Sequence, residues 1–170
     1  MKKHFLLFLT LLFLLSGCSG GKAKEISVNH PYEIAKGTST LSYYDTGDNI
    51  HMEGIRVEEL TDYHWPELIE QMESFILVND GKVRYIFIAD EDVVTYRQIS
   101  VGDDIDKVKK AFRQIRQWSD DYEVLFNKDD EEEPFGENKE DDWICIDYRT
   151  DGSKITAIFI RDVTFTNKLR

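Results

Sequence analysis

The chain reads as an α+β domain, an antiparallel β-sheet with one main amphipathic helix, over about residues 103–118, packed on a face. Three observations carry that class. Two hairpin patterns built on glycine turns stand near 75–89 and 144–161, and one apolar stripe at helical spacing lies between them. The third is a likeness between the halves. Residues 82–90 and 154–162 are identical at five of nine positions, and each run follows an Asp-Gly pair, Asp80-Gly81 and Asp151-Gly152. Ile26-Ser27-Val28 recurs as Ile99-Ser100-Val101. One reading is two degenerate tandem repeats, 25–92 and 95–165; the other is two unrelated hairpins that share turn chemistry.

Taken in order, the chain opens with Lys2, Lys3 and His4, then an apolar run over 5–15 that only Thr10 interrupts. A basic start, about eleven apolar residues and then small ones form the pattern of a secretory signal. The run is too short for a bilayer core of about 30 Å. Leu15-Ser16-Gly17-Cys18 resembles the lipobox of bacterial lipoproteins. That resemblance implies a signal peptide at 1–17 and a mature N-terminus at Cys18, acylated there with diacylglycerol and palmitate-type chains. Residues 18–24 are small and polar and read as a spacer ahead of an extracytoplasmic domain at 25–170.

Composition excludes some partners. Asp and Glu number 33 against 21 Lys and Arg, a formal charge of −12, and loss of Lys2 and Lys3 with the signal makes it more negative still. Nucleic acid is bound by clustered cations, so this balance argues against it. It also argues against the domain lying flat on anionic lipid. Tethering falls to the acyl chains, at about 0.8 kcal/mol per buried CH₂.

Within the domain, 75–78 and 82–89 read as strands around Asn79-Asp80-Gly81, and 144–149 and 154–161 as a second pair. Further strands are expected at 40–45, 49–53, 55–58 and 122–126, and a short helix at 66–73. Residues 31–36 are expected to make at most a helical turn or two before Gly37. The main helix rests on Ile105, Val108, Phe112, Ile115 and Trp118 as one stripe, with Gly102 turning the chain and Asp103, Asp104 and Asp106 at its positive end. Residues 129–142 hold nine carboxylates in fourteen positions, so 128–142 is expected as a mobile acidic loop.

No familiar catalytic constellation, phosphate loop or dinucleotide fingerprint occurs, and no cofactor is implied. His30, His51 and His64 lie at no ligand spacing from one another. Cys145, in an apolar run, reads as a buried thiol. The acidic loop could hold Ca²⁺ but lacks the spacing of a calcium-binding loop. The cations Lys107, Lys109, Lys110, Arg113 and Arg116 form either a solvated helix face or a patch for an acidic partner.

Residues 95–112, and Ile99-Ser100-Val101-Gly102-Asp103 above all, resemble a segment of small envelope lipoproteins. These are the SmpA/OmlA-like and β-lactamase-inhibitor-like group. In that group the segment starts a helix packed on an antiparallel sheet, and its members bind proteins rather than catalyse reactions. The Gly-x-Pro that commonly closes the helix there is replaced by Phe112-Arg113-Gln114-Ile115, so a longer helix is expected. The resemblance implies a non-catalytic, lipid-anchored binding or assembly module with an envelope protein partner. It would sit on the extracytoplasmic face of the membrane; in a Gram-negative host, Ser19 after Cys18 fits the outer membrane. An envelope enzyme with an unfamiliar site and a Ca²⁺-responsive module are the alternatives.

Overall fold

Eleven strands and one α-helix make up the described part of the computed structural model, which covers residues 26–60, 72–136 and 143–163. The first half holds β1 (Glu33–Lys36), β2 (Ser39–Ser42), β3 (Arg56–Glu59), β4 (Phe75–Asn79), β5 (Lys82–Ile88) and β6 (Val93–Val94). The second holds α1 (Ile105–Ala111), β7 (Ile115–Trp118), β8 (Asp121–Phe126), β9 (Glu132–Glu133), β10 (Ile144–Thr150) and β11 (Ile155–Asp162). The signal and spacer segments, Cys18, His64 and most of the expected 66–73 helix lie outside the described residues.

Both hairpins form. Asp80 and Gly81 take positive φ, 52° and 66°, the primed turn whose twist matches its flanking strands. At the other turn the Asp151 carboxylate accepts the amides of Ser153 and Lys154 at 2.9 and 2.8 Å. The hairpins then pair with each other through β5 and β11, so the large sheet runs β3-β4-β5-β11-β10-β8-β7, with β9 on β8. All its pairs are antiparallel except β3 with β4.

The central register carries information. Phe87 faces Phe159, Ile86 faces Ile160, and Ile88 faces Ile158. A twofold axis between Phe87 and Phe159 would therefore map each hairpin onto the other at the offset seen in the sequence. The match ends beyond the hairpins: β3 runs parallel to β4, whereas β8 runs antiparallel to β10.

One face of this sheet, the helix face, carries Ile76, Ile86, Ile88, Val124, Ile146, Tyr148, Ile158 and Ile160 in the main core. It is covered by α1, through Ile105, Val108 and Phe112, and by a small sheet β2-β1-β6, through Ile34, Leu41 and Val93. The far face buries a second cluster, in which the Phe87 ring lies 4.9 Å from Phe159 and 5.1 Å from Phe75.

Four expectations need correction. The helix ends at Ala111 rather than Trp118: Phe112 is already extended (φ −119°, ψ 148°), and Ile115 and Trp118 lie in β7. The Arg97 guanidinium takes the carbonyl of Ala111, and Glu132 accepts the amides of Arg113 and Gln114, so the next turn has no free backbone to continue with. Residues 33–36 form β1 instead of helical turns, because Gly37 (φ 60°) folds that strand onto β2. Residues 49–53 make no strand. A 3₁₀ turn over Gly47–Asn49 leads into them, and Ile50 and Met52 are buried without ladder pairing. Last, the acidic stretch contributes β9, whose Glu132 and Glu133 pair with Phe126 and Leu125.

Candidate functional site

The Ile99-Ser100-Val101-Gly102-Asp103 segment fixes α1 to the start of β11. Gly102 N–H donates to the Ile155 carbonyl (2.8 Å), Ile155 N–H to that of Asp103 (3.0 Å), and Ile105 N–H to that of Ser153 (2.9 Å). Asp103 Oδ2 accepts from Ser100 N–H (2.8 Å) and from Lys107 Nζ (2.7 Å). Asp104 caps the helix by accepting the Asp106 amide at 2.9 Å. Gly102 needs to be glycine for its φ of +85°; a Cβ there would meet only the Glu91 side chain, at an ordinary contact distance of 3.4 Å. Beside this segment lies an open groove of about 580 Å³, lined by Glu91, Val94, Gln98, Ser100, Asp103 and Lys107.

The five cations proposed as a partner face do not share one. Lys107 is held by Asp103 and the Gln98 carbonyl and borders the groove. Lys109 and Lys110 are exposed on α1, the former 5.2 Å above the Tyr122 ring, and Arg113 is exposed just past the helix end. Arg116 belongs to the far face of the sheet, where it pairs with Glu123 and stacks 4.2 Å from Phe135. Lys109, Lys110 and Arg113 therefore remain as an exposed cationic end of α1.

Arg97 organises that end from below. Its guanidinium sits 5.0 Å from the Tyr96 ring and 4.6 Å from that of Phe112, and pairs with Glu132 at 2.8 Å. Arg97 and Gln98 both adopt φ near +60°, backbone strain that the surrounding bonds hold in place. Burial of Glu132 opposes its ionisation, but the amides of Gln114 and Arg113, together with Arg97, outweigh burial and lower its pKa below the ordinary 4.5. A depressed carboxylate contributes stability that is present above its unfolded pKa and lost as pH falls through the folded one. Urea midpoints of the wild type should therefore fall more steeply below about pH 4.5 than those of Glu132→Gln; parallel profiles would refute the role given to Glu132.

The far face carries a row that crosses six strands. Arg116, Glu123, Asp147, Phe159, Phe87 and Phe75 lie opposite one another in turn, ionic on one half and aromatic on the other. Arg161 spans the ionic half, 2.6 Å from Asp147 and 3.6 Å from Glu123, with all three side chains less than a fifth exposed. Cys145 donates its thiol to Asp147 (3.1 Å); burial pushes the thiol pKa well up, and the thiolate is disfavoured. His30 pairs with Asp130 at 2.6 Å and stacks on Tyr32, and its pKa is raised chiefly by the Asp130 hydrogen bond. His51 is exposed. Among the described residues no group of three or more His, Cys, Asp or Glu gathers as a metal site, and no helix is long and apolar enough to cross a membrane.

Sequence reasoning missed Arg97 and Glu132, which lie 35 positions apart and show no local pattern. It also missed the Glu123–Asp147–Arg161 cluster. Alternation signalled part of that cluster, since Glu123 and Asp147 each sit between two residues of the apolar helix face and Arg161 follows Ile160. No family model, curated protein or solved structure matches the chain.

Proposed function

We propose that this protein is a lipid-anchored, extracytoplasmic binding module that presents the cationic end of α1 to an acidic envelope protein. One observation carries the reading: on a chain of formal charge −12, Lys109, Lys110 and Arg113 stand exposed together. The neighbouring cations are committed to ion pairs within the domain, Lys107 to Asp103 and Arg97 to Glu132. Of the exposed three, only Lys109 has a carboxylate contact among the described residues, a loose one to Asp106 at 3.7 Å. A local positive patch on an acidic body steers association and selects orientation more than it adds affinity. The groove at Ser100 and Lys107 adjoins the same helix and supplies concave relief for a partner side chain. The lipobox-like Cys18 supplies the tether, and the spacer lets the domain stand off the membrane. The two central hairpins, related about Phe87 and Phe159, are read as the remains of two degenerate repeats.

Capture from detergent-solubilised envelope tests the surface. A bait carrying Lys109→Glu, Lys110→Glu and Arg113→Glu should lose at least about tenfold of a partner that the unaltered bait enriches, and the loss should shrink as salt rises. These are solvated side chains, so the variant should keep its thermal midpoint within a few degrees. Equal capture by both baits would remove this surface from the account.

A further inference from the structure

A second concave site lies between the segment that follows β2 and one end of the central strands β5, β11 and β10. Its volume is about 350 Å³, and Tyr43, Tyr44, Lys82, Arg84, Ile144 and Asp162 contribute to its wall. The backbone makes this site by an irregularity. Leu77 pairs with Tyr85 but Val78 pairs with Val83, so Arg84 is the extra residue of a β-bulge. Bulges turn a side chain away from the pleat, and this one turns Arg84 into the groove. The site is also braced. The Tyr43 hydroxyl donates to the Arg84 carbonyl (3.1 Å), Thr46 bridges Lys82, and Gly47 N–H donates to the Gly81 carbonyl (2.9 Å).

Within this frame the Arg84 Nε is buried and has no hydrogen-bond partner. An unpaired buried donor costs about 1–3 kcal/mol, a cost that a hydrogen-bond acceptor entering from the groove would relieve. A guanidinium offers a planar fork of donors that a carboxylate or phosphate fills two bonds at a time. The lining separates these ligands. Lys82 and Arg84 bring two positive charges, while Asp45 and Asp162 bring two negative ones. Asp45 is turned toward the Ser42 amide at 2.8 Å. With the cations balanced by carboxylates, a doubly charged phosphate is disfavoured and a singly charged planar group fits. The Tyr43 and Tyr44 rings, 5.9 Å apart and perpendicular, give the rest of the groove an aromatic wall for a short apolar substituent.

We propose that this groove binds a monocarboxylate, held by the Arg84 fork with Lys82 beside it and its apolar part against Tyr43 and Tyr44. Two sources share that chemistry, a small organic acid and the C-terminus of a peptide. Thermal shift of the full-length protein in detergent tests the proposal with three probes: propionate, the dipeptide Ala-Ala and its C-terminal amide. At least one free carboxylate should raise the midpoint in a saturable way, and the amide should not. Response to propionate alone assigns the site to small acids; response to Ala-Ala alone assigns it to peptide ends. Arg84→Met removes the fork but keeps the aliphatic stem. It should weaken that response at least about tenfold while leaving the ligand-free midpoint equal or higher. The proposal is overturned by a flat response to both acids, by an equal response to the amide, or by an undiminished response in Arg84→Met.

Discussion

Replacing Arg161 by alanine is expected to destabilise the protein by about 3–5 kcal/mol, the range for breaking a buried ion pair from one side. The size follows from what is left behind. Asp147 and Glu123 face each other on β10 and β8, both less than a fifth exposed, and Arg161 is the cation that reaches both. Without it, Asp147 retains only the Cys145 thiol among the contacts described above, while Glu123 still has Arg116. Two adjacent carboxylates repel, so the variant should recover part of its stability as pH falls and one of them takes a proton. Replacing all three charges together with apolar residues of similar volume should cost much less than the single change. Urea unfolding of the single and triple variants measures both effects. A single-variant loss below about 1 kcal/mol would mean that solvent already screens the cluster.

Phe159→Ala should cost a similar amount, about 3–5 kcal/mol, for a different reason. Phe159 is 4 % exposed and is the meeting point of the two hairpins, with its ring 4.9 Å from Phe87 and 5.6 Å from Tyr85. Truncation removes apolar area and leaves a cavity that paired central strands cannot close by moving. Phe159→Leu keeps most of the volume and should recover more than half of the loss. Phe87→Ala, at the mirrored position, should behave alike; a difference of more than about 2 kcal/mol would show that the mirrored positions are packed unequally. The control is Trp118→Ala. That residue is 69 % exposed at the sheet edge, and its loss should change stability by about 0.5 kcal/mol or less.

These two sites also show where sequence reading works and where it stops. The hairpins were legible because their signals are local: Asp-Gly between apolar runs specifies a turn and two strands with little help from elsewhere. The far-face aromatics are legible too: residues 83–89 and 155–160 carry apolar side chains on both alternating faces, the pattern of strands inside a covered sheet, and β5 and β11 are such strands. The end of the helix was not legible. Ile115 and Trp118 fit a helical stripe as well as a strand, and what decides is Arg97 on the Ala111 carbonyl and Glu132 on two amides. Those partners come from 14 and about 19 residues away, beyond any window of periodicity. The acidic stretch misled for a related reason. Composition describes the average of 128–142, whereas one member, Glu132, has a partner that orders its neighbourhood. Cations were overcounted as a helix face because Arg116 sits on a strand, where alternate residues point to opposite sides.

The proposed function places the cationic end of α1, on a membrane-tethered domain, against an envelope protein. A photoreactive amino acid placed at position 110 in living cells tests it most directly, with position 48 on the 3₁₀ turn before Ile50 as the comparison. One discrete adduct is expected from position 110, in the membrane fraction, lost when Arg113→Glu is added or when Cys18→Ala removes the tether. An equal spread of adducts from both positions, or a position-110 adduct that survives both changes, would contradict that placement.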